Sequence, residues 1–130
     1  MAFDLILMVS DWGNGLPVGA VRYYLGVPLI VVGALFVLWG IVVLGIHRTS
    51  GMADALVVTG PYKFTRNPQY VGDMLLFLGM IVVSNSFAAG VGWALLILSF
   101  ALMPLSEEIW LDEVYGTAYR EYKTATPRFL

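Results

Sequence analysis

The chain has no cysteine and a single histidine, His47. Disulfides, thiolate nucleophiles and cysteine-based metal sites are therefore excluded, as are a His-rich metal cluster and a Ser-His or Cys-His catalytic arrangement. A carboxylate-only metal site stays open, without a spacing signature for it. Charge is also scarce: 12% of the 130 residues are charged, against about a quarter in a soluble domain. The net charge of −2 provides no basic field for nucleic acid, which is not expected as a partner. What fills the chain instead is apolar: 59% of residues are hydrophobic. Length and composition together describe one membrane domain over 1–130.

The opening run, "MAFDLILMVS", lacks a basic stretch before it and is interrupted by Asp4, so no signal peptide is expected. It is far shorter than the ~20 residues of a crossing helix, and is expected at the interface or against other helices. Leu25–Ile46 then runs 22 residues without a charge, about 33 Å as a helix, enough to span the hydrocarbon core. Pro28 is expected in its first turn. Gly33, Gly40 and Gly45 offer close approach to neighbouring helices, and so small a bundle is a candidate homo-oligomer. Tyr70–Ser84 is apolar apart from Asp73, a short span that calls for tilt or local thinning. "SNS" at 84–86 reads as a turn, and Phe87–Leu105 returns uncharged. The expected fold is all-α: a small polytopic bundle of about three spans plus the N-terminal segment, with a helical hairpin at 70–105.

A hairpin returns the chain to the side it left, so the 47–69 connection and the 106–130 tail share one face. Arg48, Lys63, Arg66, Arg120, Lys123 and Arg128 lie there and Arg22 alone on the other side, which places that face in the cytoplasm. The tail patterns as an amphipathic helix, with Ser106 as its N-cap and Leu111, Val114, Tyr115, Ala118 and Tyr122 on one stripe. Gly116 weakens its middle. Glu107 projects into the stripe and Glu108 stands at its edge, where a carboxylate needs either a salt-bridge partner or a ligand.

The connection itself, "VVTGPYKFTRNPQYVGD" at 57–73, is dense in special residues. Pro61 and Pro68 push Gly60 and Asn67 away from helix. Pro68 suits the first position of the hairpin's first helix, with Asn67 as N-cap. That helix start offers free N–H groups to a carboxylate or phosphate, and Arg66 stands beside it. Gly72 lets a ligand or another backbone come close. The same residues would also serve as an interfacial anchor. Asp73, an ionisable group in a membrane segment, points to function, unless the helix dipole alone accounts for it.

In order along the chain come Gly60-Pro61-Tyr62, Arg66-Asn67-Pro68-Gln69-Tyr70-Val71-Gly72, Glu107-Glu108, Gly116-Thr117-Ala118-Tyr119 and Pro127-Arg128. This set, over Leu56 to the C-terminus, resembles the integral membrane methyltransferases of the isoprenylcysteine carboxyl methyltransferase and phospholipid N-methyltransferase superfamily. The resemblance implies S-adenosylmethionine held between the 56–72 connection and the 106–130 tail. It implies that Gly60, Tyr62, Arg66, Asn67, Pro68, Tyr70 and Gly72 line one side and Glu107 and Glu108 the other. The acceptor implied is lipid-like and enters from the bilayer, with Tyr119 and Arg128 toward its head group. No general base stands out. Two other classes carry different expectations. Sterol reductases share an Arg-His-Pro-Asn-Tyr hairpin and bind NADPH, but this chain has Gln69 at the Asn position and adds Glu107-Glu108. A small proton-coupled transporter would carry an ionisable residue mid-span, and neither long run has one.

Overall fold

The computed structural model describes residues 2–49 and 55–130, and side chains within 5–45 and 55–130. Residues 50–54 of the connection, and the side chains of His47 and Arg48, lie outside the described residues. The described chain is all-helical: α1 (Ala2–Ser10), α2 (Val21–Thr49), a 3-10 turn (Gly60–Lys63), α3 (Pro68–Ser84), α4 (Phe87–Tyr115) and α5 (Thr117–Ala125). α3 is the central helix, with α2 packed along one side and α4 along the other. Val21–Gly45 and Phe87–Tyr115 are long and apolar enough to cross a membrane. Only 11% and 17% of their most apolar stretches are buried within the molecule. A helix in the core of a soluble protein would be mostly covered, so these apolar faces need lipid, and the chain is an integral membrane protein.

The α2–α3 contact is a glycine seam. A Cβ on Gly33 would lie 2.6 Å from the Gly72 carbonyl oxygen, and one on Gly72 would lie 2.7 Å from that of Gly33. One turn pair further on, Gly26 and Gly79 face each other in the same way, at 2.9 and 2.7 Å. Gly40 closes the row against Gln69. A seven-residue spacing keeps 26, 33 and 40 on one stripe, as in a left-handed coiled-coil seam. Gly45, expected among them, is five residues past Gly40 and so about 140° around the helix. It has open space around its Cβ position. Gly33 and Gly40 are therefore used within one chain, against Gly72 and Gln69.

Three boundaries differ from expectation. α2 begins at Val21, so Pro28 sits two turns inside it rather than in its first turn. Membrane helices tolerate this because neighbouring groups satisfy the freed carbonyl. α4 runs unbroken from Phe87 to Tyr115, through Pro104 and Ser106. Ser106 is no N-cap: its Oγ donates to the Met103 carbonyl at 2.9 Å inside the continuous helix. The break comes at Gly116, whose φ of +53° only glycine adopts readily. That turn resets the helical phase. The expected stripe is divided as a result: Leu111, Val114 and Tyr115 lie on α4 and Ala118 and Tyr122 on α5, and the buried ring there is Tyr119, outside the stripe.

At the other end, the N-terminal segment packs against the hairpin as expected. α1 lies on α4. The loop after it is laced to the 84–86 turn: the Gly15 N–H donates to the Asn85 carbonyl at 2.7 Å, and the Asn85 amide donates to the Leu16 carbonyl at 2.7 Å. The Ser86 hydroxyl donates to Asp11 Oδ2 at 2.8 Å. Asn85 takes the left-handed conformation, φ +46°, that its residue type tolerates.

The seam yields a prediction. Gly72→Ala places a methyl inside van der Waals contact with α2 backbone and is expected to lower stability by about 1–3 kcal/mol. Gly45→Ala is expected to leave it unchanged or slightly raised. Thermal unfolding of both variants in the same detergent checks the contrast.

Candidate functional site

The connection is anchored from below and roofed from above. From below, Gly60 adopts φ +59° and brings the 3-10 turn onto α2; a Cβ there would lie 2.9 Å from Val43 Cγ2. From above, the segment around Pro127 and Arg128 lies across the start of α3. The Arg66 N–H donates to the Pro127 carbonyl at 3.0 Å. The Thr65 hydroxyl and the Asn67 side-chain amide both donate to the Arg128 carbonyl, each at 3.0 Å. The Tyr122 hydroxyl donates to the Tyr62 carbonyl at 2.6 Å. Burial pushes the Tyr122 phenol well above its usual pKa, so it stays a neutral donor over the whole working pH range.

Asn67 does occupy the N-cap position of α3 and Pro68 its first helical position. The Asn67 side chain makes no capping bond, because it is turned to Arg128 instead. Thr65, which the sequence did not single out, takes the local role. It is fully buried, and its Oγ1 accepts the Asn67 N–H at 3.2 Å. A threonine two residues before an Asn-Pro is the pattern of such a turn and was the available signal.

Glu108 is the centre of the roof. Its side chain is 7% exposed, and it meets three cations: Arg66 Nη1 at 2.9 Å, Lys123 Nζ at 2.9 Å and Arg128 Nε at 2.6 Å. Arg128 adds a second contact, Nη2 to Oε2 at 3.0 Å, a forked pairing. Those bonds hold the Arg128 guanidinium above its ordinary range. Arg66 is as deep, with its side chain 8% exposed, and Nη1 also donates to the Tyr119 hydroxyl at 3.2 Å. Its Nε is buried with no hydrogen-bond partner. Glu107, one residue away on α4, accepts from the Tyr70 hydroxyl. The Tyr70 ring stacks on Phe100.

Seven of the residues singled out from sequence thus converge: Arg66, Asn67, Glu108, Tyr119 and Arg128 in one network, beside the Tyr70–Glu107 pair. Lys123 joins them unannounced. Gly60 and Gly72 face α2, and Gly72's closeness is to another backbone. Pro68 is buried beside that seam. Tyr119 is 1% exposed and supports Arg66 from inside the roof. On the outer side of α4 an open groove of about 490 Å³ runs past Leu105, Glu108, Ile109 and Glu113 to Arg120 and Lys123.

The fold is thus a helical membrane domain whose polar cap is clipped onto the start of a short central helix. The chain belongs to the phospholipid methyltransferase family, whose model matches residues 21–118. It is similar to the cobalt-zinc-cadmium resistance protein CzcN of Cupriavidus metallidurans, at 32% identity over 108 residues, 81% of this chain and 45% of that protein. It is also similar to the protein-S-isoprenylcysteine O-methyltransferase of Schizosaccharomyces pombe, at 30% identity over 76 residues, 57% of this chain and 32% of that enzyme. The chain spans less than half the length of either relative. No solved structure matches it.

Glu108→Gln leaves three cations around a neutral amide in a nearly dry site, and is expected to cost about 3 kcal/mol or more. Asp112→Asn, which breaks the exposed pair with Arg120, is expected to cost ~0–1 kcal/mol. Detergent-phase unfolding of the two variants side by side measures the difference.

Proposed function

We propose that the chain binds S-adenosylmethionine between the 3-10 turn and start of α3 on one side and the α4–α5 roof on the other, and transfers its methyl group to a lipid-like acceptor. The observation that carries this reading is the buried Arg66 Nε, one of two buried side-chain donors without an acceptor among the described residues; the other, Arg22 Nε, lies at the start of α2. A buried unpaired donor is costly, and an incoming ligand oxygen would relieve it. The charge balance agrees. Arg66, Lys123 and Arg128 surround the single carboxylate of Glu108, so the cluster keeps an excess of positive charge suited to a ligand carboxylate. Glu107 offers its carboxylate to an ammonium or a ribose hydroxyl, and Tyr70 offers an aromatic face to a sulfonium.

When bound, the cofactor supplies an electrophilic methyl on sulfur. The protein's part is to hold and orient it, and to keep water away with the Tyr122–Tyr62 and Thr65–Arg128 contacts. Arg128, at 35% side-chain exposure, is a roof cation still open to an acceptor's head group, as is Lys123 at 46%. The acceptor enters laterally, because α2 and α4 flank α3 without closing over it. The long helices α2 and α4 and the shorter α3 cross the bilayer as a multi-pass bundle. The positive cap, with Lys63, Arg66, Arg120, Lys123 and Arg128, faces the cytoplasm by the same charge rule that leaves Arg22 on the far side.

Thermal unfolding of the purified chain with S-adenosylmethionine, its demethylated product or NADPH tests this. Either of the first two, at about 100 times its dissociation constant, is expected to stabilise by roughly 2.7 kcal/mol. Glu107→Gln keeps an acceptor for Tyr70 and is expected to fold normally while binding at least about tenfold more weakly, ~1.4 kcal/mol. A shift with NADPH alone would assign the chain to the reductases. No shift with any of the three would leave it non-enzymatic.

A further inference from the structure

Arg22 is the only lysine or arginine before residue 48. It is the second residue of α2, at the end of the molecule opposite the polar cap. Among the described residues no carboxylate pairs with it. Asp11, the acid of the loop before α2, is spent on the Ser86 hydroxyl at 2.8 Å and the Asn14 amide at 3.0 Å. The first turn of α2 holds no acid either.

An ordinary interfacial arginine trails its charged end into water. The Arg22 guanidinium is held in place instead. It lies over the Tyr23 and Trp12 rings, 4.8 and 5.7 Å from their centroids. Its Nη2 donates to the Tyr23 hydroxyl at 2.9 Å. Its Nη1 rests on Gly13, where a Cβ would come within 3.1 Å and φ is +80°. Its Nε is buried without an acceptor. Nη1 makes no hydrogen bond and is not buried, so it is open to a ligand. A guanidinium fixed in this way, short of water and without an acid, suits an oxyanion. Trp12, Tyr23 and Tyr24 are all partly exposed around it, an aromatic belt at the depth of lipid head groups.

A groove of about 390 Å³ opens nearby, between the α1–α2 loop and the α3–α4 turn. Gly15, Asn85 and Ser86 form its lip, and Ile81, Gly90 and Ala94 line it further along α3 and α4. The lip has no side-chain hydrogen bond left to offer. Asn85 is bonded at both ends of its amide to the Leu16 backbone, and Ser86 to Asp11. A Cβ on Gly90 would meet only Ile81 Cγ2, at 3.9 Å, so that wall is open. Such a groove in a membrane helix pair suits hydrocarbon. Gly13 and Gly15 are two residues apart, so the guanidinium on Gly13 is within about 12 Å of the lip.

We propose that Arg22 and this groove together hold one phospholipid of the leaflet opposite the cap, with its phosphate on Arg22 Nη1 and one hydrocarbon chain in the groove. This lipid is a resident of the fold and not the methyl acceptor. Along α2, about 27 Å separate Arg22 from Gly40, where α2 meets Gln69 at the start of α3. The inference therefore stands apart from the methyl-transfer reading.

The test uses the full chain in a non-ionic detergent and reads the unfolding midpoint against added dioleoyl phosphatidylglycerol, dioleoylglycerol or inorganic phosphate. The phospholipid is expected to raise the midpoint saturably. The other two, which carry only the chains or only the phosphate, are expected not to. Arg22→Gln and Gly90→Leu are each expected to raise the half-saturating lipid concentration at least about tenfold. Arg120→Gln, which alters an exposed cation of the cap, is expected to leave it unchanged. An equal response to dioleoylglycerol or to inorganic phosphate overturns the proposal, as does an unchanged response in Arg22→Gln or Gly90→Leu. An equal loss in Arg120→Gln puts the lipid at the cap and overturns it too. Should Arg22→Gln not fold, native mass spectrometry decides. One phosphatidylglycerol retained by the unmodified chain and lost from Gly90→Leu upholds the site, and no retained lipid, or equal retention of dioleoylglycerol, sinks it.

Discussion

One carboxylate organises the polar end of this protein. Glu108 sits two turns before the end of α4, almost out of water, where a charge left without a partner is costly. Its three cations come from three places: Arg66 from the connection before α3, Lys123 from α5 and Arg128 from the segment after it. Neutralising Glu108 therefore means bringing the whole roof down onto the start of α3. The backbone contacts of Thr65, Arg66 and Asn67 with 127–128 follow from that closure. So does the burial of Tyr119, which fills the space under Arg66.

The apolar end obeys a different constraint. Lipid gives no hydrophobic drive for one helix to bind another, so α2 and α3 hold together by close backbone approach. The glycine seam brings them within reach along most of α3's length. α3 and α4 meet through rings instead, with Phe100 shared between Tyr70 and Phe77. The two sides of α3 thus differ in kind: one is a close backbone contact, the other a contact of stacked rings.

Much of this was legible in the sequence, and the failures are instructive. Uncharged runs located the long helices because length and charge are all a bilayer asks for. Asn67-Pro68 fixed the start of α3, and "SNS" its end, because proline and left-handed asparagine act locally. Reading Ser106 as a cap failed, because a serine among acids resembles a helix start only if the preceding helix stops, and α4 does not. The tail stripe was divided at Gly116, where a left-handed turn shifts the phase by an amount that no periodicity reveals. Glu108 was recognised as needing a partner or a ligand, but Lys123 was not foreseen as one. Its approach depends on the angle that Gly116 sets between α4 and α5. Gly26 was missed and Gly45 wrongly included, since only the seven-residue interval, not the glycine count, defines the seam.

The reach of the Glu108 cluster along the chain bears on biosynthesis. Thr65 and the carbonyl it holds are 63 residues apart, and Arg128 is made 20 residues after Glu108. Two of the three cations therefore follow the hairpin that carries Glu108. Without them Glu108 can draw only on Arg66. A product truncated between 116 and 122 would lack both Lys123 and Arg128 and so be permanently unroofed, with an under-neutralised acid at the end of α4. That is a feature by which a membrane protease could distinguish incomplete copies from finished ones.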